Sequence, residues 1–302
     1  MNSDILIVGT GALATLFATR LTSSGQRVTM LGAWPEGLFA LRQNGARIID
    51  ANGNEQKFFV NVTDDPKECR GAKVAIVLVK SWQTERAARQ LKECLADDGL
   101  TITLQNGLGN REILVNELGE SRVALGTITI GATLLEPGLV KVGGEGKISI
   151  EAHPAIGAIK EALKSADFKV EIVDDARSMV WSKLIINAAI NPLTALLKIP
   201  NGELLEHPAA RGLMRALAEE AASVASAEKA NLPFHDPAAM VEDVARKTAG
   251  NHSSMLQDVQ RGAPTEIDAI SGAITRLGQR HHIPTPINYV CWQLVLALAS
   301  RG

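Results

Sequence analysis

The 302-residue sequence predicts an α/β N-terminal domain, built on a mostly parallel, doubly wound sheet, followed by an all-α C-terminal domain. Three observations carry that reading. The run Ile5-Leu6-Ile7-Val8 is short, continuous and apolar, as a strand buried on both faces of a parallel sheet should be. Strand-like and helix-like segments then alternate along the first half. From Asp174 onward nearly every segment is Ala/Leu-rich with helical spacing, and strand candidates vanish. The change of character puts the domains at residues 1–174 and 175–302.

The elements follow in order. Gly9-Thr10-Gly11 turns the chain out of the first strand, Ala12 to Leu21 reads as a helix, Gly25 closes it, and Arg27 to Leu31 reads as a second strand. This βαβ unit has about 30 residues, the usual size for a right-handed crossover. Further strands are predicted at Val74 to Val79 and Leu100 to Leu104, with a helix over Gln83 to Leu95 between them. Val123 to Leu135 and Leu139 to Ile150 read as strand pairs around the turn Pro137-Gly138, and Val170 to Val173 as a last strand. Helices are expected over Glu203 to Ala230, Pro237 to Ala249 and Thr265 to Arg280. With no repeat and no low-complexity linker, the domains are expected to pack directly around a cleft.

Composition excludes several classes. The formal net charge is -2 and no basic run occurs, which argues against nucleic acid as a partner. No apolar stretch reads as the ~20 residues of a membrane helix, and no charged n-region precedes the first strand, so no membrane partner and a cytoplasmic location are expected. Cys69, Cys94 and Cys291 are scattered, without a CxxC pair or histidines at metal-ligand spacing, and read as free structural thiols with no metal site. The Ala-rich helices of the second half leave a homodimer open.

Gly9-Thr10-Gly11-Ala12-Leu13-Ala14 matches G-x-G-x-x-A directly after a strand and opening a helix. The first glycine permits the tight turn, the second lets backbone approach a pyrophosphate, and the small Ala14 allows close helix–strand packing. The helix N-terminus adds unpaired N–H groups and the positive end of its dipole. Dinucleotide sites specific for NAD usually carry an acid at the end of the second strand, whereas this chain reads Leu31-Gly32-Ala33-Trp34. The missing carboxylate leans towards NADP, yet no Arg stands there for a 2′-phosphate. Arg42 is the nearest later candidate, and Trp34 either covers an adenine or packs locally.

A second pattern lies in Trp181 to Asn191. Lys183, Asn187 and Asn191 stand at i, i+4 and i+8, one stripe along an otherwise apolar helix. Burying an amine and two amides costs several kcal/mol unless they find partners, so the stripe is paired inside the protein or aimed at a polar ligand. Asn191 precedes Pro192 and has a second reading as the N-cap of a following helix. Lys80 and Asn106 each follow a predicted parallel strand, at the carboxyl ends where ligands of open α/β sheets bind. The plainer alternatives are a surface lysine and an Asn-Gly turn.

At these residues the chain resembles the ketopantoate reductase (2-dehydropantoate 2-reductase) family over nearly its whole length. The markers occur in order: Gly9 to Leu13, Lys80-Ser81-Trp82-Gln83-Thr84, Gln105-Asn106-Gly107-Leu108-Gly109, Lys183 to Ala195, Pro200 to Leu204, Ser253 to Asp258, and Thr265-Glu266-Ile267-Asp268. The resemblance implies a Rossmann domain and a helical domain of the 6-phosphogluconate dehydrogenase-like C-terminal type. It implies NADP(H) as favoured cofactor, with NAD(H) the alternative, and a small 2-oxo acid as substrate. Lys183, Glu266 and Asn106 match the family's catalytic positions, Lys183 as general acid. Gly9, Thr10, Gly11, Ala12, Leu13, Ala14, Lys80, Asn106, Ala132 and Glu266 match cofactor contacts. Asn106, Lys183, Asn187, Asn191, Asn201 and Ser254 match substrate contacts. The missing Arg near Ala33 departs from many members and puts the NADP preference in question.

The chemistry is consistent with these residue types. Hydride addition to a ketone places negative charge on oxygen, so the site needs a proton donor nearby. An ammonium in a partly dry environment has its pKa lowered towards neutrality, and amides can orient a carboxylate and a hydroxyl. Ketopantoate reduction in pantothenate and coenzyme A synthesis is the expected activity, another 2-oxo acid with NAD the alternative. A sensor without turnover would have lost the set Lys183, Asn106, Ser254 and Glu266, and all four are present.

Overall fold

The computed structural model describes residues 5–50, 52–144 and 146–299. Two compact units result, one of residues 1–105 and 110–176, the other of residues 106–109 and 177–302. The short segment Asn106–Gly109 thus joins the helical unit although the sequence around it is α/β.

The α/β unit is organised by β1 (Ile5–Val8), whose side chains alternate between two cores. Ile5 and Ile7 pack with Leu16, Phe17 and Leu21 of α1 (Ala12–Ser23), whereas Leu6 and Val8 pack with Ala87, Ala88 and Leu91 of α3 (Thr84–Cys94). A continuous apolar strand is therefore what this position demands, because both faces are covered by helices.

Parallel neighbours flank β1 on both sides. β2 (Val28–Leu31) pairs Ile5 with Val28, and β6 (Ala72–Val77) pairs Ile5 with Val74. The sheet continues through β5 (Asn61–Thr63) on one side and β7 (Leu95–Thr103), β8 (Val123–Ile128), β11 (Lys147–Glu151) and β12 (Lys169–Val173) on the other. Only β8 and β11 pair antiparallel in this eight-stranded sheet. The chain winds outward in one direction from β1 to β2 and in the other from β6 to β8, so β1 stands at the topological switch point. The predicted doubly wound, mostly parallel sheet is present, and α2 (Pro35–Asn44), α4 (Asn110–Leu118) and α5 (Gly157–Ser165) complete its helices.

The strands predicted on either side of Pro137-Gly138 pair in a second sheet, ordered β4 (Glu55–Phe58), β3 (Ala46–Ile49), β10 (Leu139–Gly144), β9 (Gly131–Glu136), which packs on α1 and whose strands β4 and β3 the sequence reading lacks. Its first two strands are four residues each, and β4 reads Glu-Gln-Lys-Phe with three exposed side chains, so no apolar period betrays it.

The helical unit is built around α6 (Ala176–Leu197), α7 (Glu203–Glu206), α8 (Pro208–Ala227), α9 (Pro237–Lys247), α10 (Ser254–Gln260), α11 (Ala273–Arg280) and α12 (Pro286–Ala299). Trp181 is its largest fully buried side chain, surrounded by Leu184, Ile185, Ala188 and the apolar faces of the other helices. Three expectations change here. Glu203 to Ala230 is not one helix: His207 is extended, as the residue before a proline prefers, and Pro208 opens α8 at its first position. Asn191 does not cap a new helix, because α6 runs through Pro192, and only the one backbone bond that Pro192 cannot donate is lost. Finally, α6 is long and apolar enough to cross a membrane, contrary to the reading of no such stretch; its polar stripe interrupts the run in sequence but leaves the average high. In the fold 67% of its most apolar window is buried, which makes it a core helix.

The cysteines Cys69, Cys94 and Cys291 are free and buried, and burial raises their thiols, that of Cys94 to about 12. Glu242 on α9 is a firmly tied carboxylate, which accepts from Arg211 at 2.8 and 2.7 Å and from Arg215 at 3.1 Å. Hydrogen bonding to Arg211, then Arg215, holds its pKa at about 2 against the cost of burial. A folded pKa below the unfolded one adds stability that is full above the ordinary carboxylate range and disappears as pH falls towards 2. Denaturant titrations from pH 7 to pH 2 should show this acid loss in the wild type. In Glu242→Gln, already weaker at pH 7, the part of the loss belonging to this group should be missing.

Candidate active site

In the α/β unit, the glycine loop leaves β1 at the switch point. Gly9 has φ +134°, and a Cβ there would lie 3.2 Å from the backbone of Leu78 and 3.3 Å from Val79 N, so both conformation and the neighbouring loop exclude a side chain. Gly11 caps α1 with extended backbone and without a side-chain hydrogen bond, and a Cβ on it would meet nothing within 4 Å. The first turn of α1 contains no acid, so its dipole end is uncompensated by a side chain. Thr10 is buried against Gly32, where a Cβ would come within 2.5 Å of Thr10 Cγ2. An open glycine edge leading to an uncapped helix start fits the pyrophosphate of a dinucleotide. Ala132 is half-buried on β9, in the sheet that packs on α1.

Lys80 is half-buried and stands at the start of a 3-10 turn, Ser81–Gln83, beyond β6. That loop and the end of β7 are joined by a network to which the sequence reading gave no role. Gln105 donates to Val79 O at 3.0 Å and to Thr84 Oγ1 at 2.8 Å, and accepts from Thr103 Oγ1 at 3.0 Å. Thr84 Oγ1 in turn lies 2.8 Å from both Ser81 O and Asn110 Oδ1. Gln105 and Thr84 fall inside quoted motifs, and their burial is the signal that only the fold supplies.

Just past β2, Trp34 packs locally: a Cβ on Gly37 would touch its indole at 2.3 Å. Arg42 is half-exposed and bonded to Asp64 at 2.8 Å and Val62 O at 3.3 Å, just past β5. Exposed Ala33 follows Gly32, so the carboxyl end of β2 carries neither acid nor base.

The helical unit holds the ionisable groups. Lys183 and Asn187 are half-buried and Asn191 is buried, in the stripe that α6 geometry requires. Glu266 is 5% exposed and accepts a hydrogen bond from Asn106 Nδ2 at 3.1 Å, which brings together two residues 160 positions apart. Burial lowers the Lys183 ammonium to about 8, and the nearby Glu266 carboxylate offsets part of that fall. Asn201 is buried, donates to Thr248 Oγ1 at 2.9 Å and leaves its enclosed Oδ1 without a protein hydrogen bond. Ser254 is exposed in the first turn of α10, while the preceding Ser253 is the buried N-cap, accepting from Leu256 N at 3.1 Å. A buried amine of near-neutral pKa beside a carboxylate and an amide can give a proton to a developing oxyanion and take it back.

A dinucleotide-type α/β unit followed by a helical unit with such a lysine is the build of an oxidoreductase. Two family models match the chain, "Ketopantoate reductase PanE/ApbA" over residues 5–155 and "Ketopantoate reductase PanE/ApbA C terminal" over residues 175–299. It is 34% identical to the 2-dehydropantoate 2-reductase of Archaeoglobus fulgidus, over 98% of each chain. It is 32% identical to that of Halobacterium salinarum, over 98% of this chain and 99% of the other. Among solved structures, a PanE/ApbA family ketopantoate reductase from Ralstonia eutropha superposes with a TM-score of 0.92 at 31% identity, over 99% of both chains. D-mandelate dehydrogenase in ternary complex with NADH and anilino(oxo)acetate gives 0.92 at 25% identity, again over 99% of both. The chain belongs to the ketopantoate reductase family and is an enzyme.

The electrostatics make a prediction independent of any substrate. Titrated by 13C NMR at its Cε, Lys183 should ionise near pH 8, and in Glu266→Gln at a lower pH, because the lost carboxylate was holding the proton on. A Lys183 that titrates with the surface lysines, near 10.4, would contradict the buried geometry.

Proposed function

We propose that the enzyme reduces 2-dehydropantoate to (R)-pantoate with NADPH, in the synthesis of pantothenate and coenzyme A. The observation that carries this reading is the lowered Lys183 ammonium beside Glu266, which in turn holds Asn106, on a chain whose relatives bear that activity in their names.

The backbone of Gly9, Thr10, Gly11, Ala12, Leu13 and Ala14 would hold the cofactor's pyrophosphate, with Lys80 and Ala132 as further contacts and Asn106 and Glu266 towards the nicotinamide ribose. When bound, the reduced nicotinamide supplies the hydride. Lys183 supplies the proton: as carbon gains hydride, the carbonyl oxygen becomes an alkoxide, and the ammonium at Nζ protonates it to the product hydroxyl. The neutral amine then recovers a proton from solvent. With a pKa of about 8, Lys183 is mostly charged at neutral pH and still acidic enough to donate. Glu266 keeps that charge in place, and Asn106 orients the group that receives the proton. Asn187, Asn191, Asn201 and Ser254 would bind the carboxylate and hydroxyl of the substrate. Positioning of this kind supplies part of the barrier reduction.

One observation favours a second reading, another 2-oxo acid with NADH: the end of β2 has no cation, and Arg42 is tied to Asp64. A neighbour of similar fold, D-mandelate dehydrogenase, was solved with NADH. That pair is solvent-exposed and therefore weak, so a 2′-phosphate can compete for Arg42, and NADP(H) stands as the proposal.

Purified enzyme should oxidise NADPH with 2-dehydropantoate faster than with other 2-oxo acids or with NADH; no turnover of 2-dehydropantoate would sink the substrate assignment. Lys183→Ala should lower kcat roughly 10²–10⁴-fold. Because the acid form is the active one, wild-type kcat/KM, which reports the free enzyme, should fall as pH rises through about 8. Lys183→Arg, slow but permanently charged, should show no such fall.

A further inference from the structure

Glu266 is followed at once by a π-helical turn, Asp268–Gly272, which continues into α11. Its wide winding is visible in the bond from Gly272 N to Ile267 O at 3.0 Å, five residues back. Glu266 is tied into the same turn, its carbonyl accepting from Ala269 N at 3.1 Å and Ile270 N at 3.2 Å.

Side chains and backbone hold this turn from two sides. Trp292 on α12 donates from Nε1 to Asp268 Oδ1 at 2.8 Å, and Arg276 donates to Asp268 O at 2.7 Å. The Arg276 guanidinium lies over the Trp292 ring, 5.4 Å from its centroid. Gly272 makes room for both, since a Cβ there would stand 2.9 Å from Trp292 Cε2 and 3.1 Å from Arg276 Nη1. From the other side comes the segment Asn106–Gly109. Leu108 N donates to Ala269 O at 2.9 Å, and Gly107, at φ +85°, lies so close that a Cβ would meet Ala269 Cβ and O at 2.6 Å. Asn106, the next residue, reaches Glu266.

We infer that this π-turn is a positioning device for the proposed reaction, in which Asp268 and Trp292 hold Glu266 and Asn106 in the arrangement that serves Lys183. The assignment rests on the reductase reading for its consequence in turnover, and on geometry alone for its consequence at Lys183. An ordinary α-turn would advance residues 268–272 by one position and carry Ala269 O away from Leu108 N. The 106–109 segment and Glu266 are therefore registered by the same backbone turn. Trp292 is the bolt. Asp268 and Arg276 are the charged groups in direct contact with the turn, and Glu266 is the one whose field acts on Lys183.

The test compares Trp292→Phe, Asp268→Ala and Asp268→Asn with wild type, reading kcat and KM separately and titrating Lys183 by 13C NMR in the protein without substrate. Trp292→Phe keeps the ring over Arg276 but removes the donor, and Asp268→Ala removes the acceptor. Both should lower kcat roughly 10–100-fold with a smaller change in KM, as a misplaced catalytic group does. Both should also move the Lys183 pKa below its wild-type value, because Glu266 raises it. Asp268→Asn keeps an oxygen that accepts from Trp292 and should stay close to wild type in both readings. An unmoved Lys183 pKa with unchanged kcat in Trp292→Phe would overturn the inference. So would an Asp268→Asn variant as impaired as Asp268→Ala, since the charge and not the hydrogen bond would then be responsible. If Asp268→Ala does not fold, Trp292→Phe decides alone. The Lys183 titration needs no substrate, so it still decides this point should the enzyme fail to reduce any 2-oxo acid.

Discussion

The helical unit depends on keeping an ammonium and a carboxylate against an apolar core. Either charge alone would cost several kcal/mol to bury, and the pair is tolerable only because each finds polar company. Lys183 answers the cost by becoming more acidic, down to about 8, while Glu266 limits the fall and is itself held by Asn106. The long apolar helix α6 is what makes this possible. Trp181, Leu184, Ile185 and Ala188 bury it firmly enough that Lys183, Asn187 and Asn191 are carried in along one stripe. Burying Trp181 alone contributes on the order of 3 kcal/mol, comparable with the penalty for the polar groups beside it.

The glycine-shaped loops of the α/β unit solve a different problem with few ionisable groups. Its loops at the carboxyl ends of β1, β6 and β7 are shaped by glycine conformation and by the buried Gln105–Thr84 network, so the groups available to a ligand there are mainly backbone N–H and amides. Such dipoles are already oriented and need no charge to be buried. Charge chemistry stays with the helical unit, as the proposed division of labour between cofactor binding and proton transfer requires.

Much of this was legible in the sequence, for identifiable reasons. The glycine loop and the Lys183 stripe are local patterns whose meaning depends on spacing alone, and the fold carries both where that spacing put them. The β4–β3 half of the second sheet was not legible, because β4 is polar and exposed and its pairing with β3 is decided by neighbours. Asn191-Pro192 reads as a helix start by its dipeptide, yet tertiary burial of α6 outweighs one lost backbone bond. The contact of Asn106 with Glu266 and the π-turn beyond it are long-range: Gly107 and Gly272 look like ordinary turn and helix glycines until Ala269 and Trp292 are seen against them. His207-Pro208, by contrast, was a readable break that the strong Ala/Leu periodicity of the segment overrode.

The central claim is that the Lys183 amine, lowered to about 8 by burial with Glu266 opposing the fall, is the proton donor. Its most direct test replaces Lys183 by cysteine and alkylates the thiol with bromoethylamine, restoring a side chain of nearly the same length whose amine is intrinsically more acidic than lysine's. The account predicts recovered turnover with the alkaline limb of the kcat/KM profile displaced to lower pH than in the wild type. Recovered turnover with the limb unmoved would assign the titration, and the proton, to another group.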